Sequence, residues 1–355
     1  MNRMELSARP PQIPAVCLNS NGTTAGPHRP GSVIVLDSGF DCTDTYEGHG
    51  SLVNRTVRES GFSGPISRTQ VQFRGNAATQ LDKQPLTPEQ ARQALRQDAA
   101  NLVTGSLNGY AESLNAQSRA GARNSVMNIS GGLNKADVVR ALINRMCDNP
   151  QSLDNATRAF GVDQEKLRSS DPKVSGPEML KLQQGLVNTT NQALDNNPQV
   201  ARAQNNYNTA VKRFESQQNS VVVAVGNTGA AVLHPGVKLP QDFQRSFNVN
   251  DDVTAVGASM RGIGRSGFSA NERSNIVYAE GMAPTNNLAP GQTQPSMGTS
   301  FAAPRIAGVM AELHRRHPNL SSAQVENLMR NQLTDQRGGY TELDPGKVRQ
   351  FYTNR

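Results

Sequence analysis

Ser32-Val33-Ile34-Val35-Leu36 is a short, β-branched, apolar run that ends at Asp37-Ser38-Gly39. A run of that length and composition predicts a strand buried on both faces, as in a parallel sheet. The pattern recurs along the chain. Val126-Met127-Asn128-Ile129 ends at Ser130-Gly131-Gly132, Val221-Val222-Val223-Ala224-Val225 ends at Gly226-Asn227, and Val253-Thr254-Ala255-Val256 follows. Each run stops in small or polar residues, as strands of an open α/β sheet do where functional loops begin.

Helical patterns alternate with these strands. Thr87-Pro88-Glu89-Gln90 is a capping box with Pro at the first helical position, and Ala91, Leu95, Leu102 and Leu114 continue its apolar stripe. Thr299 to Arg315 places Ala302, Ile306, Val309, Met310 and Leu313 at helical spacing. Strands alternating with helices predict an α/β fold with a largely parallel sheet covered on both faces. Residues 1–30, with Pro10, Pro11, Pro14 and Pro27, read as a loosely structured arm. Residues 31–355 read as one domain. Within it, 134–219 carries helical patterns and no strand-like run, and is expected to be an α-helical insertion. Leu182, Leu186 and Val187 share one helical face there, as do Val200, Tyr207, Val211 and Phe214.

Composition narrows the function. Of 355 residues, 35% are apolar and 5% aromatic, and no stretch approaches the roughly 20 apolar residues of a membrane-spanning helix. The net charge is +7, but Lys and Arg are scattered without a run, which weighs against a nucleic-acid partner. Cys17, Cys42 and Cys147 are odd in number and far apart, so neither a disulfide scaffold nor a zinc site is expected. Met1 to Gly31 lacks the apolar core of a secretory signal, which implies a cytoplasmic protein or export that reads no signal peptide.

The strand ends and helix starts carry the chemistry. Asp37 closes the first strand, Gly48-His49-Gly50-Ser51 opens a helical pattern, Asn227 follows the third apolar run, and Ser300 sits in Gly298-Thr299-Ser300-Phe301-Ala302-Ala303-Pro304. Any one of them is ordinary as a cap or turn residue. Together they supply every part of acyl transfer. A Ser hydroxyl needs an imidazole to take its proton, and the imidazole needs a carboxylate to fix its tautomer. The oxyanion needs donors, which the Asn227 side chain and the Ser300 N–H at a helix N-terminus can supply. A non-catalytic interaction protein built on the same framework is the alternative, and it gives no reason to keep Asp37, His49, Asn227 and Ser300 together.

In this order the motifs resemble the subtilisin-like serine peptidases, whose triad runs Asp, His, Ser. The resemblance rests on Val33 to Gly39, Gly48 to Val53, Val126 to Gly132, Val223 to Gly229, and Gly298 to Gly308. His317-Pro318-Asn319-Leu320-Ser321 followed by a helix fits the family's last helix as well. It implies Ser300 as nucleophile, His49 as general base and then acid, Asp37 as its orienting acid, and Asn227 in the oxyanion hole. Ser130, Gly131 and Gly132 resemble the edge segment that pairs with extended substrate backbone, with side-chain preference set near Ala224-Val225-Gly226 and His234-Pro235-Gly236. Protein or peptide substrates and no cofactor or metal are implied.

Departures from the family matter too. Only 12 positions separate Asp37 from His49, so the structural calcium site that a longer loop often carries is not expected. About 30 residues precede the first strand, so the usual inhibitory pro-domain is expected to be missing. Gly262-Ile263-Gly264-Arg265-Ser266-Gly267 fits a dinucleotide fingerprint, but Phe268-Ser269-Ala270-Asn271 does not open the helix that fingerprint requires. Cys42, between Asp37 and His49, reads as an ordinary thiol.

Overall fold

A computed structural model of the chain describes residues 31–37, 48–71, 79–227, 233–260, 264–270, 275–283 and 296–354. The arm 1–30 and the 38–47 loop with Cys42 lie outside the described residues.

The first apolar run is strand β1 (Val33–Asp37), followed by α1 (His49–Glu59), β2 (Ile66–Gln70), α2 (Gln80–Lys83) and α3 (Pro88–Arg119). Thr87 caps α3 as the sequence predicts, with its hydroxyl accepting from Gln90 N–H. Strand β3 (Val126–Ile129) leads into five helices, α4 (Lys135–Asp148), α5 (Pro150–Phe160), α6 (Gln164–Leu167), α7 (Pro172–Leu194) and α8 (Pro198–Glu215). Then come β4 (Ser220–Ala224), β5 (Thr254–Met260), β6 (Gly264–Arg265), β7 (Val277–Glu280) and α9 (Thr299–Arg316). The chain closes with α10 (Ser322–Leu333), β8 (Thr334–Arg337), β9 (Tyr340–Leu343) and α11 (Pro345–Thr353).

The sheet runs β2-β1-β3-β4-β5-β7-β9-β8, with every neighbouring pair from β2 to β9 parallel. Among the described residues, β8–β9 and the short β5–β6 pair are the antiparallel strand pairs. Alternation along each strand builds two cores. Ile34, Leu36, Met127, Ile129, Val221 and Val223 face α3 and the 135–215 helices, while Val33, Val35, Val126, Val222 and Ala224 face α1, α9 and α10. Helices therefore cover both faces, which is the α/β arrangement the apolar runs predict.

The 135–215 helices belong to the first of these cores. Leu186, Val187, Tyr207, Val211 and Phe214 are fully buried, and Tyr207 Oη donates to Asn248 O at 2.9 Å. Helix α8 also delivers the chain to β4, supplying the crossover that the parallel β3–β4 pair needs. Strand order reverses at β1, which has β2 on one side and β3 on the other. The carboxyl ends of β1 and β3 thus flank the switch point where open α/β sheets hold ligands.

Candidate active site

Asp37 is the last residue of β1, and its side chain is only 4% exposed. His49 is the first residue of α1, with a side chain 44% exposed, so a substrate can reach the ring while the acid stays sealed. The two meet: His49 Nδ1 lies 2.8 Å from Asp37 Oδ2. A carboxylate there takes the Nδ1 hydrogen and leaves the Nε2 lone pair free. Burial of the ring disfavours its cation, but the hydrogen bond and charge of Asp37 outweigh that effect. His49 is raised above the ordinary histidine value.

The His49 ring packs against Phe301 with centroids 5.4 Å apart, which sets it beside the N-terminus of α9. Ser300 is the second residue of that helix and is 8% exposed. Among the described residues no hydrogen bond joins Ser300 to His49, a looseness common in active sites without substrate. Gly298 precedes the helix in extended backbone, and a Cβ built on it would lie 2.9 Å from Ser300 Oγ and 3.3 Å from Asn227 Nδ2. Glycine here lets the serine hydroxyl and the asparagine amide share one small space.

Asn227 is oriented by α9. Thr299 N–H donates to Asn227 Oδ1 at 3.0 Å, and Thr299 Oγ1 donates to the same oxygen at 3.3 Å. Because a backbone N–H can only donate, Oδ1 is fixed as the acceptor and Nδ2 must face the Gly298–Ser300 space. Phe301 N–H is taken by Gly298 O at 3.1 Å. The N–H of Ser300, between the two, has no partner among the described residues. An aimed side-chain amide and a free helix N-terminal N–H converge beside one hydroxyl.

The segment after β3 is tightly held. Ser130 is buried, and its Oγ accepts from Asn128 Nδ2 at 2.7 Å. Gly131 O accepts from Asn248 Nδ2 at 2.9 Å and from Tyr110 Oη at 3.2 Å. Gly132 abuts Gly226, the residue before Asn227. Sequence reasoning assigns no role in the site to Thr299, Asn248 or Tyr110, because their roles depend on long-range contacts. Thr299 had a local signal, since a hydrogen-bonding residue at a helix start beside Ser300 invites a partner. At the dinucleotide-like pattern, Gly264–Arg265 forms β6 against β5, and among the described residues 264–270 no helix begins.

Residues 102–346 match the sequence profile of the subtilase family (peptidase S8). The match begins after Asp37 and His49 and includes Asn227 and Ser300. Among curated proteins, Subtilisin DY of Bacillus licheniformis is 32% identical over 116 residues, 32% of this chain and 39% of that protein. M-protease of Shouchella clausii is 31% identical over 126 residues, 35% of this chain and 30% of that protein. The chain thus spans well under half the length of these relatives. Among solved structures, a lanthipeptide protease superposes with a TM-score of 0.47 and 16% identity, over 92% of this chain and 90% of that one.

Proposed function

The chain belongs to the subtilase family, and from that premise we propose that it is a serine endopeptidase acting through an acyl-enzyme on Ser300. His49 Nε2 takes the Ser300 proton as Oγ attacks the carbonyl carbon of a peptide bond. Asp37 holds the imidazole in the tautomer that leaves Nε2 free and balances the cation that forms. The oxyanion receives Asn227 Nδ2 and the Ser300 N–H. Collapse expels the amine, which takes its proton from His49. Water then attacks the ester with His49 again as base, and this releases the acid and regenerates Ser300.

The observation that carries this reading is the 2.8 Å pairing of a sealed Asp37 with a reachable His49, one ring contact from the start of α9. Ser130, Gly131 and Gly132 are the proposed docking edge for extended substrate backbone. The substrates are peptides or segments of proteins. Segment 134–219 is read as a helical insertion within a single domain spanning 31–355, with α8 serving the sheet and the helices before it elaborating one wall of the cleft.

Hydrolysis of a quenched peptide mixture tests the reading. Ser300→Ala should lose on the order of 10⁶ in kcat while keeping the wild-type circular dichroism spectrum. Near wild-type turnover by Ser300→Ala would remove the assignment, and a folded wild type inert on every peptide would leave the non-catalytic alternative.

A further inference from the structure

An open groove of about 1290 Å³ lies on the 135–215 helices, between the start of α3, the end of α5, the middle of α7 and residues 236–240. Phe160, Leu180 and Leu239, each half-buried, give it an apolar lining. Helix α7 can approach the Phe160 ring because Gly185 has no side chain: a Cβ there would lie 2.5 Å from the ring. The groove is also basic. Arg92, Arg158, Lys181 and Lys238 line it, and no acid does so among the described residues. Arg92 is balanced by Glu89, but Arg158, Lys181 and Lys238 are exposed and form no ion pair among the described residues.

Helix capping accounts for the position of some of these cations. Arg92 Nη1 donates to Ala159 O at 2.7 Å and Lys181 Nζ donates to Gly161 O, both at the end of α5, while Arg158 Nη1 donates to Leu86 O at 2.9 Å. Neutral carbonyls leave the charges uncompensated, and each side chain keeps further N–H donors. Lys238 Nζ has no partner among the described residues, so capping does not explain it. Its backbone is pinned instead: Lys238 N–H donates to Gln184 Oε1 at 2.8 Å, and Gln184 Nε2 donates to Lys238 O at 3.1 Å. Lys238 follows Asn227 by 11 positions (238 − 227), a span of at most about 40 Å. An occupant of the groove therefore lies within reach of a chain held at Ser300.

The groove exceeds the roughly 300–1,000 Å³ of a site for one small molecule, and it is open, as a track for a peptide segment is. Cations beside apolar side chains match a segment that carries acids beside apolar residues. A nucleic-acid backbone would use the charges and leave Leu180 and Leu239 uncovered. Resting on the peptidase reading above, we propose that this groove docks an acidic segment, with apolar residues between its acids, of a protein substrate that is cut elsewhere in its sequence. Docking there raises the local concentration of the scissile bond at Ser300 without touching the reacting atoms.

Fluorescence anisotropy on the full chain carrying Ser300→Ala, which cuts nothing, tests the docking. The probe is a labelled peptide of ten residues alternating Glu and Leu. Adding Lys181→Gln and Lys238→Gln should weaken its binding at least about tenfold. Adding Lys212→Gln and Arg349→Gln, exposed cations outside the groove, removes the same charge and should change Kd by less than about twofold. A Glu–Ser peptide of equal length and single-stranded DNA of equal charge should each bind at least about tenfold more weakly. No binding, equal loss in both double variants, or equal binding of either control overturns the proposal. In the active enzyme, a cleavable peptide joined to the Glu–Leu segment through about twelve Gly/Ser residues should show a KM at least about tenfold below that of the unjoined peptide. Lys181→Gln with Lys238→Gln should remove that advantage, and an advantage that persists or never appears, with the segment on either side, overturns the substrate role. Fluorophosphonate labelling separates the two readings: a labelled enzyme with neither binding nor advantage refutes this inference alone. A folded chain neither labelled nor active refutes the peptidase reading, and the substrate role with it.

Discussion

Asn227 Oδ1 accepts both the N–H and the hydroxyl of Thr299, the residue immediately before Ser300. The helix that carries the proposed nucleophile therefore also orients the proposed oxyanion donor. This link gives the asparagine a geometry that a free surface amide lacks, since its rotation is fixed before any substrate arrives.

Asn227→Ala should lower kcat by about 10²–10³ with little change in KM, the size such a loss has in subtilisin. Asn227→Asp is the sharper variant. It keeps the oxygen that Thr299 needs but puts an acceptor where the donor stood, so it should fold like wild type and be at least as inactive. Steady-state kinetics with circular dichroism checks both, and an Asp variant retaining more than a tenth of the activity contradicts the donor role.

The pH profile follows from Asp37. Protonated His49 cannot accept the Ser300 proton, so kcat/KM should fall as pH drops, with a midpoint above 6.5 because Asp37 raises the imidazole. Asp37→Asn should move that midpoint down and cost about 10⁴ in kcat, the size of the equivalent loss in the chymotrypsin-type triad. An unchanged midpoint in a folded Asp37→Asn protein would show that the pairing does not govern the base.

Glu215, at the end of α8, is pushed up to about 8 by burial, with Asp252 and Glu326 adding to the effect against the Ser322 hydrogen bond. Its folded value exceeds the 4.5 of the free side chain, so the fold holds a proton that the unfolded chain has lost between those limits. Stability from this group is present at low pH and falls as pH rises towards about 8. Glu215→Gln should flatten the decline of Tm over that window and be more stable than wild type above it. Parallel Tm profiles would contradict this.

Lys135 is 3% exposed and bonded to Asp195 and Asp242, whose side chains are 40% and 57% exposed. Water reaches the two acids, so Lys135→Met should cost about 2 kcal/mol, below the roughly 3–5 kcal/mol of a fully buried pair broken on one side. Urea unfolding measures it directly. A loss under 0.5 kcal/mol, the usual size of a surface change, would show that the start of α4 is held by other contacts.

Much of the framework is legible in the sequence because its strands are buried on both faces. Val33 to Leu36 and Val221 to Ala224 are unmixed apolar runs, Val126 to Ile129 is interrupted by Asn128 alone, and Thr87 and Gly298 mark helix starts. Strand β2, Ile66-Ser67-Arg68-Thr69-Gln70, escapes notice because it lies at the sheet edge and is largely polar. The hairpin of β8 and β9 is similarly hidden by Asp335, Gln336 and Arg337, although Gly338-Gly339, both at positive φ, is a turn signal for it. In the site, residue types and their order suggest roles for Asp37, His49, Asn227 and Ser300. The Gly132–Gly226 contact is invisible, since it joins two glycines 94 positions apart.

In the proposed mechanism His49, held by Asp37, makes Ser300 a nucleophile. Its most direct test is intact-protein and peptide mass spectrometry after exposure to a fluorophosphonate, on wild type, His49→Ala and Ser300→Ala. One phosphonyl adduct per wild-type chain is expected, mapped to Ser300, forming at least about 10³-fold more slowly in His49→Ala and absent in Ser300→Ala. An adduct on another residue, or equal labelling of wild type and His49→Ala, would contradict it.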